Sequence, residues 1–174
     1  AFTEIITPEA MLKAANTAAS IANETGKSIS ENISELASPN LYPVTTSWEY
    51  TSVKEKIPFL ERVNDKIFGL DSKVTKVNAG IGDTTSYILF YNSEGLIACD
   101  YRPMVYISVT CVMEKDGRIE NSYVSRSARQ GFEYLTNDLI DNLAKEAEEK
   151  TNIQFEAVMP KAGEMEVVMS AGES

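Results

Sequence analysis

After Asp71 the apolar residues stop recurring every three or four positions and begin recurring every second one, and this continues to Ser127. A period of two is the period of a pleated strand, so this long central stretch is committed to sheet. It breaks at turn residues into Lys73–Ile81, Thr84–Tyr91, Leu96–Arg102, Met104–Lys115 and Arg118–Ser127, each alternating or β-branched and aromatic. Asn92-Ser93-Glu94-Gly95 and Lys115-Asp116-Gly117-Arg118 each place a glycine where a hairpin needs positive φ. Gly80, Gly82 and Asp83 predict a looser connection, and Pro103 an edge, a bulge or a break between two strands. Along Met104–Met113 one face carries Val105, Ile107, Val109, Cys111 and Met113 and is core. The other carries Met104, Tyr106, Ser108, Thr110 and Val112; being half polar, it fits a sheet with helices on one side and solvent or another chain on the other.

Helical spacing brackets this region. Thr7-Pro8-Glu9 combines a capping hydroxyl, a proline at the first helical position and an early carboxylate. That helix should run to about Thr25 and stop at Gly26, with Met11, Ala14, Ala15, Ala18, Ala19 and Ala22 inward. Ser52 and Glu55 form a capping box for a second helix, which reaches about Gly69 with Ile57, Leu60, Val63, Asn64, Ile67 and Phe68 at helical spacing. Pro58 disturbs its first turns, so the regular helix can also begin there. Thr136 caps a third, Asn137–Thr151, with Leu139, Ile140, Leu143 and Ala147 inward and an acidic outer face. An extended Ile153–Met159 and a last strand from Met165 complete the reading. Residues 27–47, rich in serine and asparagine with Pro39 and Pro43, read as a loop or mobile segment docked by Trp48 and Tyr50. The expected fold is a single α+β domain over residues 1–174: an antiparallel sheet, a meander of about five strands plus end strands, with two to three helices on one face.

Composition narrows the function. With 26 acidic against 16 basic residues the formal charge is −10, which repels a phosphate backbone and argues against nucleic acid as a partner. No apolar run approaches the roughly 18 residues of a membrane span, and no basic-then-apolar leader opens the chain. A cytoplasmic protein with no membrane partner is expected. Cys99 and Cys111 lack CxxC spacing and read as buried small hydrophobes. There is no histidine at all, so the commonest general base and the commonest transition-metal ligand are both missing. The carboxylates form no DxDxDG loop, and Gly80-Ile81-Gly82-Asp83 precedes a strand rather than a helix, so neither a calcium nor a phosphate loop is present. Within this sequence no catalytic, cofactor-binding or metal-binding residue is assigned.

Two polar clusters stand out as possible substrate or interface contacts. In Asp100-Tyr101-Arg102-Pro103, the Arg102 guanidinium sits where a strand is expected to end, able to pair with Asp100 or with a group outside the domain. Arg126 and Arg129, interleaved with Ser125 and Ser127, can hold an anion or a peptide carboxylate. The bland reading of both is local pairing and surface decoration of strands.

Three motifs in order, Thr7-Pro8-Glu9-Ala10 opening a helix, the Asp100-Tyr101-Arg102-Pro103 corner, and Ala162-Gly163-Glu164-Met165-Glu166-Val167-Val168, make the chain resemble the TldD branch of the TldD/PmbA family, once described as modulators of DNA gyrase. The resemblance spans Thr7 to Val168. It implies a metal-dependent peptidase in which an HExxxH helix, supplying metal-binding histidines and a water-activating glutamate, follows the region matched here. This chain would be most of the N-terminal domain, and the abrupt apolar start at Ala1 and the strand-like Met165–Ser174 are read as cuts through a longer protein. By the same resemblance the whole protein is cytoplasmic, carries a divalent metal, most simply zinc, and acts on unfolded or extended peptides. Its partners would be a C-terminal catalytic domain and a second subunit, identical or PmbA-like, with this domain lining the channel and helping to form the dimer. The competing expectation is a complete small peptide- or protein-binding module without enzymatic activity.

Overall fold

The computed structural model describes residues 1–22, 34–36, 40–92, 94–159 and 161–168. In chain order its elements are α1 (Pro8–Ala22), β1 (Ser34–Glu35), a 3-10 turn (Trp48–Tyr50), α2 (Val53–Leu70), β2 (Val74–Tyr91), β3 (Leu96–Lys115), β4 (Arg118–Ala128), a second 3-10 turn (Phe132–Tyr134) and α3 (Asn137–Gln154). The architecture is α+β, with three helices and a four-stranded mixed sheet among the described residues. It forms two compact units, Ala1–Leu41 with Tyr87–Tyr101, and Tyr42–Ser86 with Arg102–Ser174.

The expected antiparallel meander of about five strands is corrected. Lys73–Ile81 and Thr84–Tyr91 run together as β2, and Leu96–Arg102 and Met104–Lys115 together as β3. Neither breaker breaks. Asp83 lies within the strand, in an ion pair with Lys56 of α2. Pro103 is fully buried, and the β4 ladder begins only at Val105, so the missing N–H costs no bond to that strand. The sheet is mixed because β1 pairs with β3 in parallel, Ser34 opposite Leu96 and Glu35 opposite Ile97. The two expected end strands are also absent from the described residues: α3 continues through Ile153 to Gln154, and Met165–Val168 form no strand.

In the larger unit the core lies between one sheet face and the helices α2 and α3. Val105, Ile107, Val109, Cys111 and Met113 all point into it, as the alternation predicts, and meet Phe59, Val63 and Ile67 of α2 and Ile140, Leu143, Ala144 and Ala147 of α3. Along β2 the inward side switches from Val74 to Val77, Ala79 and Ile81, a change of parity along the strand. The capping box at Ser52 and Glu55 is present, and Thr136 accepts from the Leu139 N–H at 3.2 Å. The helix begins at Val53, ahead of Pro58, rather than at the proline. The α2 stripe is rotated from the expected one: Phe59 is buried while Ile57 and Phe68 are exposed. Between β3 and β4 the turn is tight, with Asp116 at φ 53° and Gly117 at φ 78°, the paired left-handed residues of a two-residue hairpin. Trp48 docks as expected, but Tyr50 does not and is 85% exposed.

In the smaller unit α1 starts as predicted, the Met11 N–H reaching the Thr7 carbonyl at 3.0 Å. Its alanine stripe is not buried. Ala14 is half-buried, whereas Met11, Ala15, Ala18 and Ala19 are exposed, in keeping with how little area an alanine face gains by packing. The Gly26 stop, Pro39 and much of the 27–47 loop lie outside the described residues, as do Ser93, Pro160 and residues 169–174. The β2–β3 turn is closed by Asn92, whose Oδ1 accepts from Glu94 and Leu96 N–H at 3.1 and 3.0 Å.

Candidate functional site

Two surfaces remain once the core is accounted for. The first is the outer face of the larger unit's sheet. Because the odd residues of β3 point to the helices, the even ones point away, and the register places Tyr106 opposite Ser127, Ser108 opposite Ser125, Thr110 opposite Tyr123 and Val112 opposite Asn121. None of these eight side chains is charged, in a chain that is about a quarter charged residues overall. Gly80 of β2 flanks Ser108, since a Cβ there would lie 3.5 Å from the Ser108 hydroxyl. Tyr106 and Tyr123 are 41% and 53% exposed. These four pairs thus offer aromatic rings and hydroxyls, suited to contact and hydrogen bonding, while charged side chains on this side of β3 stand only toward its ends, at Arg102 and Glu114.

The second surface is the β2–β3 hairpin of the smaller unit. Tyr87, Ile88, Leu89, Phe90 and Tyr91 are consecutive and all exposed, with Tyr87 and Leu89 at 68% and 72%. Tyr87 and Tyr101 meet with ring centroids 5.3 Å apart. With Ile88, Leu89, Cys99 and Asp100 they line a shallow groove of about 380 Å³.

The four residues singled out from sequence fall in different settings. Asp100 is half-buried in that groove of the smaller unit. Arg102 belongs to the larger unit, where it is exposed and shares the outer side of β3 with Met104 and Tyr106. Arg126 is on the opposite, helix-facing side, in an ion pair with Glu146, and its guanidinium also donates to the Ser125 carbonyl at 2.8 Å. Glu146 in turn accepts from Lys150 at 2.8 Å; hydrogen bonds first from Lys150 and then from Arg126 hold its carboxyl below the ordinary value. Arg129 lies over the Tyr42 ring at 5.1 Å, a cation–π contact. Arg126 and Arg129 are therefore each engaged locally rather than pooled into one anion site.

The cysteines divide. Cys111 is buried as expected, and burial pushes its thiol above the ordinary value. Cys99 is exposed on the β2–β3 hairpin, a correction to the expectation that both cysteines are buried. Sequence reasoning missed Glu133 altogether. Its carboxylate accepts from the N–H groups of Thr45, Thr46 and Gly131 at 3.1, 3.0 and 3.2 Å. Thr45 and Thr46 lie far from it along the chain, and no local signal marks such a pairing.

The described residues do not fit a metal. The chain has no histidine, and no group of three or more Cys, Asp or Glu stands close enough to hold an ion among the described residues. Nor is any described helix long and apolar enough to cross a membrane.

Comparison with known proteins gives these surfaces a context. Residues 47–155 match the PmbA/TldA metallopeptidase central domain. A metalloprotease TldD homolog of Haemophilus influenzae is 31% identical over 136 residues, covering 75% of this chain and 28% of the relative. One from Buchnera aphidicola subsp. Acyrthosiphon pisum is 24% identical over 179 aligned positions, covering 99% of this chain and 37% of the relative. The chain thus spans about a third of the length of these relatives. The matched description is a central domain, where the resemblance had been read as an N-terminal one. A match over most of the sheet and both helices of the larger unit, joined to these relatives, makes the chain a member of the TldD/PmbA metallopeptidase family.

Proposed function

We propose that this chain is a non-catalytic domain of a cytoplasmic, metal-dependent peptidase acting on unfolded or extended peptides, and that the outer sheet face walls its substrate channel. The observation that carries the reading is the uncharged, hydroxyl-bearing face around Tyr106, Ser108, Tyr123 and Ser125. A wall of this kind accepts peptides of many sequences, because it binds through rings, hydroxyls and main chain rather than through matched charge. The metal, a divalent ion such as zinc, is held by residues outside this chain and supplies the activated water. The exposed apolar hairpin Tyr87–Tyr91 is suited to contact with the catalytic domain or with a second subunit, identical or PmbA-like.

The test uses the full-length gene product on an unstructured peptide. Replacing Tyr106 and Tyr123 together by alanine should raise KM by about fivefold or more, with kcat changed less and metal content unchanged. Unchanged KM and kcat would remove the channel-wall role. A full-length product that neither holds metal nor cleaves peptide would sink the peptidase reading and leave an independent binding module.

A further inference from the structure

Ahead of Trp48 the chain lies on the surface of the larger unit: Thr45 and Thr46 are exposed, Tyr42, Val44 and Ser47 half-buried, and none of residues 42–47 enters the core. Burial therefore holds this stretch weakly, and polar contacts must do so. They converge on one short segment. The Phe132 N–H donates to the Thr46 carbonyl at 2.9 Å, Arg129 covers the Tyr42 ring, and the two oxygens of Glu133 take the Thr45 and Thr46 amides. Gly131 completes the seat: its own amide reaches Glu133, and a methyl group on its Cα would run into the Thr46 carbonyl. At the next residue the character changes, for Trp48 is 3% exposed, stacks edge-on against Phe132 at 5.9 Å and donates through Nε1 to the Gln130 carbonyl at 2.7 Å.

We propose that Tyr42–Ser47 is a strap with Trp48 as its fixed hinge and Glu133 as its lock, opening as a unit while the sheet and helices stay folded. A carboxylate shared by three amides makes stronger bonds than a neutral acceptor. When it withdraws, the Thr45 and Thr46 amides, on exposed residues, pass to water, so the effect of opening stays local. The Glu133 carboxyl agrees: partial burial would raise it, but bonds from its own amide and from Thr46, Thr45 and Gly131 together hold it below the usual glutamate value.

Residue-resolved hydrogen exchange on this chain tests the lock. Glu133→Ala should speed exchange of the Thr45 and Thr46 amides by at least about tenfold, leaving the Val105–Met113 amides unchanged. Saturating formate, but not chloride at the same ionic strength, should restore protection in the variant by replacing the lost carboxylate. Gly131→Ala keeps the carboxylate but removes the close approach, and should open the same two amides. Unchanged Thr45 and Thr46 exchange in either variant would overturn the proposal. So would a rise shared with β3, which makes Glu133 a general stabiliser, or failure of formate to protect, which removes the carboxylate as the locking group.

Discussion

Asp71, at the end of α2, shows how much one carboxylate can tie together. It accepts from the Lys73 N–H at 2.8 Å, pairs with the Lys73 ammonium at 2.6 Å and accepts from Asn152 of α3 at 3.2 Å. Hydrogen bonding by Lys73, the larger influence, and then by Asn152 holds its carboxyl below the ordinary aspartate value. A depressed folded pKa means the stabilisation is present above the unfolded value, about 3.9, and is lost as pH falls through the folded one. Asp71→Asn should therefore cost about 1–2 kcal/mol in urea unfolding at pH 7, and the gap from wild type should narrow toward pH 3. An equal gap at both pH values would deny the charge a role. At this scale, legibility depends on sequence distance. The Ser52–Glu55 box and the Thr136 cap were readable because their partners lie within one turn. The Asp71–Asn152 and Glu133–Thr45 contacts were not, because only the folded chain brings them together.

At the scale of elements, α1 and α3 are a controlled comparison: both are capped by threonine, but among the described residues only α3 has buried side chains. Ala15→Gly in exposed α1 should alter global unfolding by less than about 0.5 kcal/mol. Ala144→Gly, fully buried in α3, should cost more than about 1 kcal/mol, combining lost helix propensity with a lost core methyl. Equal costs would mean that α1 belongs to the same cooperative unit as the core. On β3, Ile107→Ala should cost about 2–5 kcal/mol, since its side chain is wholly enclosed. The alternation along Met104–Met113 was readable residue by residue because one face alone is buried. The strand ends at both hairpin turns, Tyr91, Leu96, Lys115 and Arg118, were readable too, whereas the breaks expected at Gly80–Asp83 and Pro103 do not occur, because glycine and proline mark breaks only where the ladder needs what they lack. Pro103 lies just ahead of the β4 ladder, which begins at Val105.

For the whole molecule, 26 acidic residues against 16 basic make copies of the chain repel one another, while the Tyr87–Tyr91 hairpin works the other way. Light scattering of the isolated chain should show association that grows as salt screens the charge, and Leu89→Ser with Phe90→Ser should remove it without shifting the urea midpoint. Association that persists in that double variant would place the sticky surface elsewhere. Family membership was legible from the order of three short motifs and was confirmed by the match over residues 47–155. The outer sheet face was legible as half polar, but the uncharged patch at its centre, from Tyr106 opposite Ser127 to Val112 opposite Asn121, was not. That property comes from the register of β3 against β4, which no single strand displays.

That register has a consequence for how the gene can vary. Eleven successive residue pairs, from Val105 opposite Ala128 to Lys115 opposite Arg118, are set by the two-residue turn at Asp116 and Gly117. One codon inserted or lost there would act as a frameshift in space, turning Val124 and Ser122 outward and Tyr123 and Ser125 into the core, with every other residue of the strand unchanged. Homologous chains should thus tolerate substitution along β4 far more readily than any change of length at its turn.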